Sequence, residues 1–214
     1  MHSDLRDTSL VTVVEHPLVQ ESLTRLRDKR TKPEEFRRYL EQAALLLTYE
    51  ATRHLETRPR PVVTPLTRTG GVGLRREVLL IPILRAGLGM LPAVLKLLPQ
   101  ARVGFIGMRR DEHTLRASVY HKSLPAEVGS SEILLIDPML ATGGSAVAAL
   151  RLLRRRGARR ARLLALVAAP EGIASVQRAF PGLSIVTAAV DAKLNERGYI
   201  VPGLGDAGDR LFGV

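Results

Sequence analysis

Residues 137 to 145 read Asp-Pro-Met-Leu-Ala-Thr-Gly-Gly-Ser, a run of small, turn-forming and hydroxyl-bearing side chains suited to holding a phosphate. Gly143 and Gly144 let the backbone approach an anion closely, and Thr142 and Ser145 add hydroxyl donors. The apolar run Ile133 to Ile136 before it has the pattern of a buried strand. After it, Ala146 to Arg156 runs at helical spacing, with Val147, Leu150 and Leu153 on one face and Gly157 as a stop. Amides at a helix start lack intrahelical partners and sit at the positive end of the dipole, so strand, glycine loop and helix together make an anion site. The loop matches neither GxxxxGK followed by Ser or Thr, nor GxGxxG. Taken alone, it reads equally well as an ordinary βα turn.

A second candidate is Arg85, which follows the apolar run Val78 to Leu84 and precedes Gly87 and Gly89. An arginine at the carboxyl edge of a parallel sheet points towards the ligand crevice, and its planar fork suits pyrophosphate oxygens. A helix is expected over 90–98. Val103 to Met108 is a third strand candidate and leads into Arg109-Arg110-Asp111-Glu112. Residues 113–124 alternate weakly, as in a projecting hairpin that serves a partner subunit or covers a site. His113 and His121 read as surface residues, because no carboxylate or second histidine stands nearby at ligand spacing. The chain has no cysteine and no evident Ser-His-Asp order.

The elements that must position these groups follow from the rest of the chain. With 214 residues, 45% hydrophobic, the chain can bury a full core in one α/β domain with an appended piece. No apolar run reaches the roughly 18 residues that span a bilayer, and the N-terminus lacks the apolar stretch of a signal peptide. Without cysteine there are no disulfides or thiolate metal sites, and the cytoplasm is the expected compartment. A net charge of +11 suits either nucleic acid or a small substrate carrying phosphate and pyrophosphate. Only 4% of residues are aromatic and none interleaves with the arginine clusters, which argues against nucleic acid as the main ligand.

In chain order, a short helix is expected after Pro17. Thr31-Lys32-Pro33-Glu34 reads as a capping box opening a helix whose stripe is Phe36, Leu40, Ala44, Leu47, Ala51 and Leu55. Arg37, Arg38, Glu41 and Arg53 form its solvated faces, Pro59 and Pro61 end it, and 64–73 reads as a loop or loose hairpin. Beyond the central loop come a fourth strand over 162–168, a helix opened by Pro170-Glu171, and a fifth strand over 183–190. The arginines at 154–156, 159, 160 and 162 read as a solvated helix terminus or as a nucleic-acid patch. Residues 195–214, with glycines at 198, 203, 205, 208 and 213, are too irregular for a helix and too apolar for a floppy tail. They read as a structured loop presenting main-chain amides and carbonyls to a flat ligand. Strands alternating with helices imply a parallel sheet with its ligand at the carboxyl edge.

The acidic strand end followed by Thr-Gly-Gly-Ser resembles the phosphoribosyl pyrophosphate (PRPP) loop of type I phosphoribosyltransferases. Seven runs together are similar to one family, the uracil phosphoribosyltransferases: HPLV at 16–19, LTYEA at 47–51, PILRAGLGM at 82–90, GMRR at 107–110, DPMLATGGS at 137–145, LVAAPEGI at 166–173 and NERGYIVPGLGDAGD at 195–209. The resemblance spans nearly the whole chain, and the 137–145 run together with GYIVPGLGDAGD is highly specific.

That resemblance implies an α/β type I phosphoribosyltransferase fold, with a mostly parallel sheet of about five strands, in a single domain over residues 1–214. A hood comes from about 1–30 and 192–214, and a β-arm from about 105–125. It implies transfer of 5-phosphoribose from PRPP to N1 of uracil, giving UMP and pyrophosphate with Mg²⁺ present. PRPP is expected at Asp137, Pro138, Met139, Leu140, Ala141, Thr142, Gly143, Gly144 and Ser145, with Arg85, Arg110 and Asp206. Uracil is expected at main-chain groups of Ile200, Gly205, Asp206 and Ala207, and Mg²⁺ at Asp206 through water. The catalytic set is Arg85, Arg110, Asp137 and Asp206. Type I loops usually carry two consecutive acids, but here Pro138 follows Asp137, so Asp137 alone is the candidate for the ribose hydroxyls. The family also implies a homodimer or larger assembly, and some relatives respond to GTP, for which nothing in the sequence locates a site. Two rival readings are a phosphoribosyltransferase-fold regulator that binds RNA, and an enzyme of the same fold using another base such as a purine.

Overall fold

The computed structural model describes residues 10–110 and 117–214. Strand β1 (Val11–Val13) leads into helices α1 (Pro17–Arg27) and α2 (Pro33–Ala51), followed by the hairpin β2 (Thr57–Val63) and β3 (Arg68–Leu74). Strand β4 (Val78–Leu84) passes through a 3₁₀ turn at Ala86–Gly89 into α3 (Leu91–Leu97). Next come β5 (Arg102–Val103), β6 (Phe105–Arg110) and β7 (Ala117–Ser123). The central unit is β8 (Glu132–Ile136), β9 (Met139–Leu140) and α4 (Gly144–Arg155). It is followed by β10 (Arg160–Leu164), β11 (Val167–Ala168), α5 (Pro170–Ala179), β12 (Ser184–Thr187) and β13 (Ala189–Val190). The chain closes with β14 (Lys193–Leu194), β15 (Ile200–Val201) and α6 (Ala207–Phe212).

The main sheet runs in the order β1-β12-β10-β8-β4-β6-β7, with β5 also on β4. Every pairing is parallel except that of β7 with β6. Its five inner strands are the five apolar runs read from the sequence, and β8 lies among them because Ile133 to Ile136 are buried on both faces. Helix α2 covers one face with Phe36, Leu40 and Leu47, and α4 covers the other with Leu150 and Leu153. Each such side chain contributes about 1.5–3 kcal/mol by leaving water. Where β8, β10 and β12 end, their chains step off and pair again as a short parallel sheet, β13-β11-β9.

Several local expectations are corrected. The Thr31 hydroxyl donates to the Arg25 carbonyl (2.6 Å), closing the end of α1, so no capping box forms and Lys32 caps α2 without its side chain. Helix α2 stops at Ala51, not at the prolines; Pro59 and Pro61 sit in β2, which pairs only with β3, and Leu55 lies past the helix. Of the two readings of 64–73, loop or loose hairpin, the hairpin is the one that forms, and its pairing is regular from Thr57–Leu74 to Val63–Arg68. The expected fourth and fifth strands are each broken in two, and the helix expected over 90–98 is preceded by a 3₁₀ turn. The expected irregular tail contains α6. Arg162 is half-buried beside Glu50 and Glu132 and so leaves the solvated cluster, whereas Arg160 stays exposed and reaches Glu132 at 3.5 Å. His121 is exposed on β7, whereas His113 and the tip of the expected arm fall at 111–116, outside the described residues. Among the described residues, no helix is long and apolar enough to cross a membrane.

Candidate active site

The central loop begins where β8 leaves the sheet. Asp137 N still donates to Leu164 O (3.1 Å), but Pro138 has no N–H to continue the ladder. Its carbonyl instead accepts from both Leu166 N and Val167 N (3.0 Å each), which turns the chain into β9 against β11. Gly143 then takes a left-handed conformation (φ 78°) and caps α4, whose first intrahelical bond is Val147 N to Gly143 O (2.9 Å). The amides of Gly144, Ser145 and Ala146 therefore belong to the helix start, where no intrahelical acceptor is available.

The loop is held by a neighbour that spacing alone did not single out. A Cβ at Gly172, in the first turn of α5, would lie 2.4 Å from Ala141 O and 2.6 Å from Leu140 O. A Cβ at Gly143 would lie 2.8 Å from Gly172 O. Loop and helix thus interlock through two glycines, so the backbone has one place to sit. The signal for Gly172 was present in the run LVAAPEGI, but nothing local in that run says what the glycine faces.

Arg85 is brought to the same edge by strand pairing. Pro82 on β4 is in register with Ile136 on β8. A Cβ at Gly87 would lie 2.7 Å from Ile136 O, so the turn carrying Arg85 rests against the residue before Asp137. The Leu84–Arg85 peptide is cis, a feature no residue type announced. Arg85 is exposed, and among the described residues its guanidinium makes no hydrogen bond or ion pair. Strand β6, in parallel register with β4, ends at Arg110, whose side chain lies outside the described residues.

The C-terminal segment completes the edge. A Cβ at Gly208 would lie 4.0 Å from the Ala86 side chain, and one at Gly89 would lie 2.7 Å from Leu211, so α6 is packed onto the turn that follows Arg85. Asp206 caps α6, its Oδ1 accepting from Asp209 N (2.9 Å). Asp206 and Gly205 are exposed, and Ala207 and Ile200 are buried. The loop at 137–145, Arg85 and the Asp206–Ala207 turn therefore share one edge, although more than 100 residues separate Arg85 from α6 in the chain. The opposite edge carries a different chemistry. There Glu132, at the start of β8, meets Arg76 (3.3 Å) and Arg160 (3.5 Å), and His54 is pushed below its ordinary pKa by burial and by Arg162. Grooves of about 670 Å³, between the β2–β3 hairpin and α3, and about 450 Å³, between the ends of α4 and α5, also lie away from the glycine loop.

A family model described as uracil phosphoribosyltransferase matches residues 13–214. The chain belongs to the uracil phosphoribosyltransferase family. It is 54% identical over 207 residues to a uracil phosphoribosyltransferase from Symbiobacterium thermophilum, covering 96% of this chain and 99% of that one. The solved structure of the AQ2163 protein from Aquifex aeolicus superposes with a TM-score of 0.92 at 36% identity, covering 95% of this chain and 98% of that one. The fold alone is shared with a hypoxanthine-guanine phosphoribosyltransferase from Bacillus anthracis, at a TM-score of 0.52 and 11% identity over 74% of this chain and 80% of that one. The broken strands and the 3₁₀ turn all occur at the carboxyl ends of the inner parallel strands.

Proposed function

We propose that this chain transfers 5-phosphoribose from PRPP to N1 of uracil, releasing pyrophosphate and forming UMP, in nucleotide salvage. The observation that carries the reading is the convergence of a glycine loop at a helix start, an arginine with no protein partner among the described residues, and a glycine-rich C-terminal turn on one sheet edge. Amides at the helix start, from Gly144 to Ala146, with the Thr142 and Ser145 hydroxyls, hold the 5-phosphate at the positive end of α4. Asp137 takes the ribose hydroxyls. Arg85 and Arg110 face the pyrophosphate, whose negative charge grows as its bond to C1′ breaks. The protein's contribution is then alignment and charge stabilisation, with no covalent step on the enzyme. Main-chain groups of Ile200, Gly205, Asp206 and Ala207 read uracil along its acceptor–donor–acceptor edge. Cytosine lacks the N3 donor and leaves a buried carbonyl unpaired, at about 1–3 kcal/mol or tenfold and more in rate.

Mg²⁺ fits the residues present. Among the described residues no three His, Cys, Asp or Glu side chains cluster as a metal cage. A cation that prefers few protein ligands, several waters and substrate phosphates needs no such cage. Asp206, exposed and with Oδ1 engaged in the α6 cap, would hold it through water on Oδ2. When bound, Mg²⁺ neutralises charge on the departing pyrophosphate.

The deciding experiment incubates the chain with PRPP and a panel of uracil, cytosine, hypoxanthine and adenine, with Mg²⁺ or with excess EDTA. UMP and pyrophosphate should form from uracil alone, and EDTA should reduce turnover to background. Turnover of a purine in preference to uracil, or none with any base, would discard the reading. Gly172→Ala should raise the KM for PRPP while leaving that for uracil near its original value, because the new methyl meets the Leu140 and Ala141 carbonyls. The accompanying overpacking should cost about 1–3 kcal/mol in a denaturant titration. A variant with unaltered PRPP kinetics would remove the glycine interlock from the account of the loop.

A further inference from the structure

The glycine turn that precedes Asp206 is held from outside by three charged side chains with no place in the mechanism above. Arg27, at the end of α1, donates to both carboxylate oxygens of Asp191 (2.8 and 2.6 Å) and, through Nη1, to Gly203 O (2.8 Å). The same Asp191 carboxylate accepts from Gly203 N (2.8 Å). Arg210, on α6, donates to Leu204 O (2.9 Å), to Asp28 O (2.6 Å) and to Leu26 O, with its guanidinium 4.6 Å from the centre of the Phe36 ring. Asp191 is 7% exposed, so its charge is sheltered from water and needs these partners.

The pattern is specific to main-chain groups. The Gly203 amide and carbonyl and the Leu204 carbonyl all have charged partners, and the next residues, Gly205 and Asp206, are exposed towards the site. A carbonyl held by a guanidinium cannot rotate its peptide plane, and successive peptide planes are linked through a single Cα, so fixing 203 and 204 narrows the orientations open to 205. Charge-assisted bonds of this kind are roughly twice as strong as neutral ones, which suits them to holding a loop that has no regular secondary structure. We propose that Arg27, Asp191 and Arg210 are positioning residues that set the peptide planes of the nucleobase pocket and so determine affinity for uracil, without touching it. This inference rests on the assignment of the 200–207 segment to the base.

Asp191→Asn keeps one acceptor for Gly203 N but presents an amide where Arg27 needs a second oxygen. Steady-state kinetics should show the KM for uracil rising about tenfold, the effect of one lost charge-assisted bond on loop placement, with kcat and the KM for PRPP changed less than twofold. Arg27→Lys, which retains the charge but not the fork, should move the same constant in the same direction by a smaller factor. The double variant should be no worse than Asp191→Asn alone, since both changes release the same turn. A uracil KM within twofold of the unmodified chain in both single variants overturns the proposal. So does an equal rise in both substrates' KM, which marks general loosening. If Asp191→Asn does not fold, Arg27→Lys decides by the same criteria. Failure of the unmodified chain to make UMP counts against the proposed function instead and is read before any variant.

Discussion

Arg85→Ala should lower kcat/KM for PRPP by about a hundredfold while leaving the melting temperature where it was. The side chain is exposed and makes no hydrogen bond or ion pair among the described residues, so its removal breaks no such bond among them. Its position is nonetheless determined: β4 is locked to β8 in parallel register, and the following turn is pressed against Ile136 at Gly87. A fixed cation beside the leaving pyrophosphate acts where charge develops, and losing one such donor costs about 10²–10³ in rate. Arg85→Lys should recover part of the loss, because it restores the charge but not the two-pronged geometry. The measurement is initial velocity against PRPP at saturating uracil, beside a thermal melt. Kinetics unchanged in the alanine variant would take Arg85 out of the mechanism.

Gly203→Ala should strike the other substrate and stability together. The residue adopts φ 55°, and a Cβ there would lie 2.1 Å from Ile200 O and 2.9 Å from the Ile200 carbonyl carbon. Both obstacles are backbone, so no rotamer change relieves them. The left-handed conformation and the overpacking together cost on the order of 3 kcal/mol. Part of that strain can be relieved only by opening the 200–203 turn, which carries Ile200 at one end and leads to Gly205 and Asp206 at the other. The uracil KM should therefore rise at least roughly tenfold, in line with one or more buried hydrogen bonds lost, while PRPP binding is less affected. The contrast with Gly172→Ala is informative: two glycine substitutions of equal size should separate the kinetics of the two substrates. A Gly203→Ala chain with the original uracil KM and melting temperature would show the turn to be adjustable.

Much of this was legible in the chain. The apolar runs of β4 and β8 were the plainest because a strand buried on both faces has almost no polar positions, whereas β10 and β12 carry Arg160, Arg162, Ser184 and Thr187 and showed through their apolar halves. The Asp-Pro-Met-Leu-Ala-Thr-Gly-Gly-Ser loop was recognisable as a strand-to-helix turn because a left-handed cap at a helix start favours glycine, a demand local enough to be read from one segment. Boundaries were less legible. Pro59 and Pro61 looked like helix stops, yet α2 had already ended at Ala51 and the prolines lie in a ribbon outside the main sheet, where their missing amides disturb no ladder there. Thr31 had the right neighbours for a capping box, but its hydroxyl found the Arg25 carbonyl of the preceding helix first. Asp206, with Asp209 three residues on, became the cap of a six-residue helix in a stretch whose glycines had argued against any helix.

Residue types and their spacing were sufficient to mark the inner strands, the glycine loop between β8 and α4 and the glycine-rich C-terminal segment, because each has a signature within a dozen residues, whereas the order of the strands joins residues as far apart as Val11 and Ile185. Tertiary packing alone decided which groups meet: Gly172 against the loop, the Arg85 turn against α6, and Arg27, Asp191 and Arg210 around Gly203 and Leu204. Those contacts join residues as far apart as 27 and 203. An arginine has the same local signature whether it faces water or holds a distant carbonyl, so only the folded chain distinguishes the two.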